Sequence, residues 1–202
     1  MESPRFKRCM EQVWKNEGVV LSEDGKTFVK SGDYTADGTH TRAGIAFEFN
    51  QEALAEVGIT RPEQMWEATP EQLAPIYFHK YWVPSRAEVF KNRNLAYQVF
   101  DSCVNQGRGC STRILQETIN TLMPSDIPLA VDGGFGPKTM ENLMMCIGYQ
   151  TEGIILSVYR VIRELYYYQR LFDESRERPD DQEAILDRFE TSWMRRLKVV
   201  LL

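Results

Sequence analysis

The residues best suited to chemistry lie in Trp14-Lys15-Asn16-Glu17-Gly18, where an acid closes an amphipathic stretch and glycine follows at once. Phe6, Met10, Val13 and Trp14 recur at helical spacing, and Glu17 continues their stripe. Ser3-Pro4 supplies the helix start, since proline fits the first turn. A carboxylate in that place meets two penalties. Apolar neighbours disfavour its ionised form, and the carbonyl-rich end of a helix repels negative charge. Both push its pKa upward, and an acid that keeps its proton can donate it to a departing oxygen, as glycoside cleavage requires. The same pattern also suits a solvated glutamate with Gly18 as the helix C-cap.

Further groups recur downstream. Asp101 and Asn105 are one helical turn apart on one face, so they can bond together or meet a ligand jointly. Asn105 carries both a donor and an acceptor, which suits sugar amides and hydroxyls, and Gly107 lets a backbone come close. The alternative is a buried polar pair that fixes helix packing. Tyr81 and Trp82 end a helical stripe and can either stack on sugar rings or join the core. Asp132-Gly133-Gly134-Phe135-Gly136-Pro137-Lys138-Thr139 lacks the Gly-Lys-Ser/Thr ending of a phosphate loop and the oxygen spacing of an EF-hand. It reads as a glycine-rich helix start in which Asp132 bonds backbone amides.

In their shared order these motifs resemble the glycoside hydrolase family 108 muramidases, lysozyme-like enzymes of phages and bacterial secretion systems that cut peptidoglycan. The family pattern runs Glu-Gly-Gly-Tyr, a loop with Asp-x-Gly-Gly, then Thr-x-x-Gly-Ile. Here Glu17-Gly18 and Thr41-x-x-Gly44-Ile45 stand in place, while Val19-Val20 replaces Gly-Tyr and the intervening loop is longer. Asp37-Gly38 is the better candidate for the aspartate, with Asp33 the runner-up. Phe100-Asp101 through Val104-Asn105 and Gly107, followed by Leu115-Gln116, is similar to Phe-Asp-x-x-Val-Asn-x-Gly with its later Leu-Gln. Asp132 to Thr139 and Trp193-x-x-Arg196 resemble C-terminal features of the family, with Ser192 where glycine is frequent.

The resemblance implies an N-acetylmuramidase acting on peptidoglycan glycan strands. Glu17 would be the general acid, Asp37 and Thr41 would position water, and Tyr81, Asp101, Asn105 and Gly107 would contact substrate. Carboxyls of Glu17 and Asp37 roughly 6.5–9.5 Å apart would favour inversion, and about 5 Å a covalent route. No cofactor and no metal are implied. The expected fold is mainly α and lysozyme-like, a helical bundle with a small irregular β-hairpin lobe flanking the cleft. Residues 1–123 would form the catalytic region, and 124–202 a helical part resembling the family's peptidoglycan-binding region, packed with it as one unit. An immunity protein or a secretion or phage partner is compatible with this. So is a different class, a catalytically silent glycan-binding or assembly protein, to which the altered Gly18-Val19-Val20 and the long loop lend weight.

The elements that must hold these groups are legible in outline. Val19 to Ala46 has no helical period but has turns at Asp24-Gly25, Ser31-Gly32 and Asp37-Gly38, with β-prone Val19-Val20-Leu21 and Thr27-Phe28-Val29 between, which predicts a small sheet or long hairpin. Asn50 caps a predicted helix to Val57 closed by Gly58. Thr60-Arg61-Pro62-Glu63 opens a short turn toward Trp66. Thr69-Pro70-Glu71-Gln72 supplies a capping box for Leu73, Ile76, Tyr77, Lys80 and Tyr81. Ile154, Ile155, Val158, Tyr159, Ile162, Leu165 and Tyr166 predict one long helical stripe, Asp173 to Glu183 a charged loop, and Ile185, Phe189, Trp193 and Leu197 a last helix.

Composition bounds the rest. At 202 residues and 43% hydrophobic the chain can bury a core as one domain. A net charge of −5 argues against a nucleic-acid partner, and basic clusters such as Arg195/Arg196/Lys198 read as solvated faces. The start Met1 to Arg8 lacks an apolar core, so no ordinary signal peptide is expected, and no run predicts stable membrane insertion. The expectation is synthesis in the cytoplasm and action in the periplasm or on the cell wall after export or lysis. Cys9, Cys103, Cys110 and Cys146, with His40 and His79 far apart, lack metal-site spacing. Cys103 reads as a small buried hydrophobe, and the disulfide state stays open.

Overall fold

The computed structural model describes residues 3–31, 39–126 and 128–201. Helix α1 (Pro4–Asn16) begins where Ser3 accepts the Phe6 amide, and it buries Phe6, Cys9, Met10, Val13 and Trp14. Its end is a glycine stop. Glu17 is the cap, Gly18 takes φ +76°, and the Val19 amide returns to the Trp14 carbonyl. Strands β1 (Val20–Leu21) and β2 (Phe28–Lys30) pair antiparallel around a turn in which Ser22 and Asp24 bond each other and Gly25 has φ +70°. Strands β3 (Thr41–Arg42) and β4 (Ile45–Ala46) form a second antiparallel hairpin. These are the two hairpins of the expected β lobe.

Helix α2 (Gln51–Glu56) starts after Asn50, but the Asn50 side chain does not cap it. Its amide donates to the Ala46 carbonyl and its oxygen accepts from Lys80. Helix α3 (Pro70–Tyr77) has the predicted capping box, with Thr69 and Gln72 bonding each other's backbone amides. The helix then widens into a π turn over Phe78–Trp82 before α4 (Val83–Ser85). Residues of the first 80 form one compact unit, in which Leu54, Met65, Leu73 and Tyr77 are buried along with the α1 stripe.

The second unit runs from Tyr81 to Leu202, so contacts divide the chain at 80/81 and not at 123/124. The reason is packing: α5 (Arg93–Asn105), α6 (Arg108–Leu122) and α8 (Glu152–Glu177) share one core across the expected boundary. Residues Leu95 through Cys103 of α5 are all buried, as befits a helix enclosed on every side. Helix α7 (Pro137–Tyr149) follows the glycine-rich loop. The expected charged loop at Asp173 is instead the last turn of α8. Arg170 pairs with Glu174 one turn on, and Arg188 of α9 (Gln182–Arg188) reaches the same carboxylate. A π turn (Phe189–Trp193) and α10 (Met194–Leu197) close the chain, burying Ile185, Phe189, Trp193 and Leu197 as predicted. All four cysteines are free thiols, and burial pushes Cys103 up to about 12. No described helix is long and apolar enough to cross a membrane.

Candidate active site

The first unit places Glu17 beside the second hairpin. Ala43 and Gly44 both have positive φ (48° and 82°), which makes the two-residue turn that matches strand twist. Glycine at position 44 is required twice over. A Cβ there would stand 2.6 Å from the Tyr77 hydroxyl and 4.0 Å from Glu17 Cγ. The hydroxyl of Tyr77, itself buried, donates to the Ala43 carbonyl at 2.8 Å, and the Ala43 amide donates to the Ser31 carbonyl at 2.8 Å. Those bonds hold a non-glycine residue in a left-handed conformation that costs about 1–2 kcal/mol. Trp14 packs edge-on against both Phe28 and Tyr77, at 5.3 and 6.2 Å. Glu17, half-buried, therefore stands at the rim of an aromatic layer, with its stem beside Gly44 of the hairpin turn.

Thr41 lies on β3 of that hairpin and is buried, and its hydroxyl has no hydrogen-bond partner among the described residues. A buried hydroxyl without a partner costs about 1–3 kcal/mol, so this oxygen suits a bound water or substrate atom. The hairpin base is clamped by Glu48, whose carboxylate accepts the His40 amide and meets the His40 ring at 2.9 Å. The His40 hydrogen bond holds the Glu48 carboxyl below its ordinary value. Asp37 and Asp33 lie outside the described residues. Among the described residues no cluster of His, Cys, Asp or Glu could hold a metal ion.

Tyr81, Asp101, Asn105 and Gly107 belong to the second unit. Asp101 corrects the sequence expectation: it is fully buried, with one oxygen 2.6 Å from Arg163 and the other 2.8 Å from Arg196. A carboxylate inside an enclosed helix needs such partners, so Asp101 acts within the bundle. The π turn also rotates the aromatic pair. Trp82 is core, edge-on to Phe100 at 5.2 Å and bonded to Glu88, while Tyr81 stays half-buried. Gly107 is exposed at φ +85° in the tight link between α5 and α6.

Asn105 is half-buried, and its orientation follows from proton counting. Arg163 can only donate, and it gives an N–H to the Tyr167 oxygen at 2.7 Å. Burial pushes the Tyr167 hydroxyl up to about 12, so it keeps its own proton. That proton goes to Asn105 Oδ1 at 2.9 Å. The Asn105 amide N–H₂ is thus left as a donor outside this chain of bonds. Tyr167, Arg163 and Arg196 were not among the expected site residues. The signal for them was indirect, a carboxylate in an apolar helix that must find a buried cation. The hold of Tyr77 on the hairpin had no local signal at all.

Asp132 behaves as predicted, its Oδ1 accepting the Gly134 amide at 2.8 Å and the Gln116 amide at 2.9 Å. The Gln116 bond, with that of Gly134, holds its carboxyl below the ordinary value.

Among solved structures the chain is similar to one titled "Structure of Brucella abortus SagA", with a TM-score of 0.55, 15% identity, and coverage of 95% of this chain and 93% of that one. At that identity the likeness shows the fold alone, mainly α and lysozyme-like. No curated protein matches the sequence. The segment of residues 11–107, which holds Glu17, Thr41, Tyr77 and Asn105, matches the family described as Glycosyl hydrolase 108, and that match supports glycosidase chemistry.

Proposed function

We propose that the protein is an N-acetylmuramidase that hydrolyses the β-1,4 bond between N-acetylmuramic acid and N-acetylglucosamine in peptidoglycan. The observation that carries the reading is the helix-end acid: Glu17 sits against Gly44 of the second hairpin's turn, inside the matched segment. In the proposed reaction Glu17 gives its proton to the glycosidic oxygen as the bond to C1 breaks. Water adds to C1 from the opposite face and passes its proton to Asp37, with Asp33 the alternative carboxylate. Thr41 Oγ1 holds that water, which supplies the partner its hydroxyl lacks among the described residues. Within the second unit, Asn105, through its N–H₂, and Gly107 and Tyr81 are each taken as glycan contacts, and the reaction uses no cofactor. Such an enzyme meets its substrate in the cell wall, and export or immunity partners would belong to its delivery.

Glu17→Gln keeps the shape of the side chain and removes the transferable proton. On purified sacculi the wild type should release muropeptides with new reducing ends, identified by mass, and the variant should release none while melting at the wild-type temperature. Undiminished release by the variant would sink the assignment. A wild type that pulls down glycan strands without new reducing ends would establish the silent binder instead.

A further inference from the structure

Helix α8 carries two apolar stripes, and the core buries only one, with Tyr168 of the other also meeting Phe189 at 5.0 Å. Ile155, Tyr159, Ile162 and Tyr167 are buried, whereas Ile154, Val161, Leu165, Tyr168 and Phe172 are 46–60% exposed, with half-buried Val158 on the same line. The exposed set, 154, 158, 161, 165, 168 and 172, is spaced 4-3-4-3-4, the repeat of a helix that packs along another helix. Isolated apolar residues on a surface need no explanation, but a continuous seam at this spacing does.

We propose that this seam is the interface of an antiparallel homodimer in which α8 packs against α8 of a second copy. Three observations select that occupant. First, the residue order is self-complementary when reversed. A two-fold axis near position 163 sets Phe172 against Ile154, Tyr168 against Val158 and Leu165 against Val161, so each layer combines a larger with a smaller side chain, as even packing requires. A parallel pair would stack Phe on Phe and Val on Val. The reversed order also places Ser157 opposite Gln169, a polar pair beside the seam. Second, the area suffices. The seam spans about 27 Å at 1.5 Å per residue, and its half-exposed large side chains supply on the order of 500 Å² per copy, the least that a specific interface requires. Third, the charge disfavours a lipid surface, since α8 carries four arginines against five carboxylates and lacks the cationic excess that anionic membranes attract.

Sedimentation velocity on the full-length chain from about 1 to 100 μM tests the proposal, with Leu165→Glu as the variant. The wild type should pass from monomer to dimer, and the variant should stay monomeric with an unchanged helical circular dichroism spectrum. Val161→Cys/Leu165→Cys, mixed and oxidised, should cross-link chains through 161–165 bridges identified by peptide mass. A wild type that stays monomeric throughout, a dimer that survives Leu165→Glu, or recovery of the monomer on anionic vesicles through the same residues would each overturn it.

Discussion

At the scale of single residues, Gly44 shows how one missing side chain shapes the candidate site. Its φ of +82° favours glycine for backbone reasons, and the Tyr77 hydroxyl occupies the place where a Cβ would go. Gly44→Ala therefore strains the turn by about 1–2 kcal/mol and pushes Tyr77 off the Ala43 carbonyl, which costs about 1 kcal/mol more. The melting temperature should fall by roughly 4–12 °C for a chain of this size. Because the same Cβ would also touch the stem of Glu17, glycan hydrolysis should fall further than the loss of folded protein explains, measured as activity per folded molecule. A variant with full specific activity would separate the turn from Glu17. The Thr-x-x-Gly spacing was legible in the sequence, but Tyr77 was not, because a hydroxyl reaching from residue 77 to residue 43 leaves no local pattern.

At the scale of elements, the loop before α7 is held by a side chain from another helix. Gln116, buried on α6, donates to Asp132, to the Gly134 carbonyl and to Thr139, and accepts the Gly133 amide at 3.0 Å. Gln116→Leu keeps the bulk, takes the acceptor from the Gly133 amide and strips Asp132, Gly134 and Thr139 of one bond each, so stability should fall by about 2–4 kcal/mol, read from the urea midpoint. The Asp132 carboxyl lies below its ordinary value, so its share of the loop's stability is present above that value and fades as pH falls through the lowered one. Gln116→Leu should remove that acid-sensitive part as well. A variant within 0.5 kcal/mol of wild type, as surface changes are, would mean the loop is held otherwise. Helix starts were legible because caps are local, as at Ser3 and Thr69, where a few neighbouring residues carry the whole signal. Register past a π turn was not. The extra residue turns everything beyond it, so a stripe drawn straight through Tyr77 to Tyr81 misses that Trp82 points inward. The α8 stripe misleads for another reason, because a helix with apolar residues on two faces gives one broad pattern, and only tertiary packing shows which face is covered.

At the scale of the molecule, the second unit is organised around charges that never meet water. Asp101 on α5 joins Arg163 on α8 to Arg196 on α10, and Arg163 further bonds Gln98, Gln106 and Tyr167. Three helices distant in sequence are thus joined by one carboxylate. Burying those charges was costly, and the stability they confer is visible only when one is removed: without Asp101 both arginines are uncompensated ions in a dry interior, and without Arg163 one Asp101 oxygen, Gln98 and Tyr167 lose their buried donor. Asp101→Ala and Arg163→Met should each lower unfolding stability by about 3–5 kcal/mol. The double variant should lose less than their sum, because Arg163→Met removes one of the two cations that Asp101→Ala leaves without their carboxylate, and coupling of about 0.5–3 kcal/mol is expected in the double-mutant cycle. Arg163→Met also frees Tyr167, and with it the Asn105 amide, so it should weaken glycan binding more than Asp101→Ala does. Urea unfolding of the four proteins measures the coupling. Strictly additive losses would show that the ion pair is incidental, and that the unit owes its cohesion to the apolar faces of α5, α6 and α8 alone.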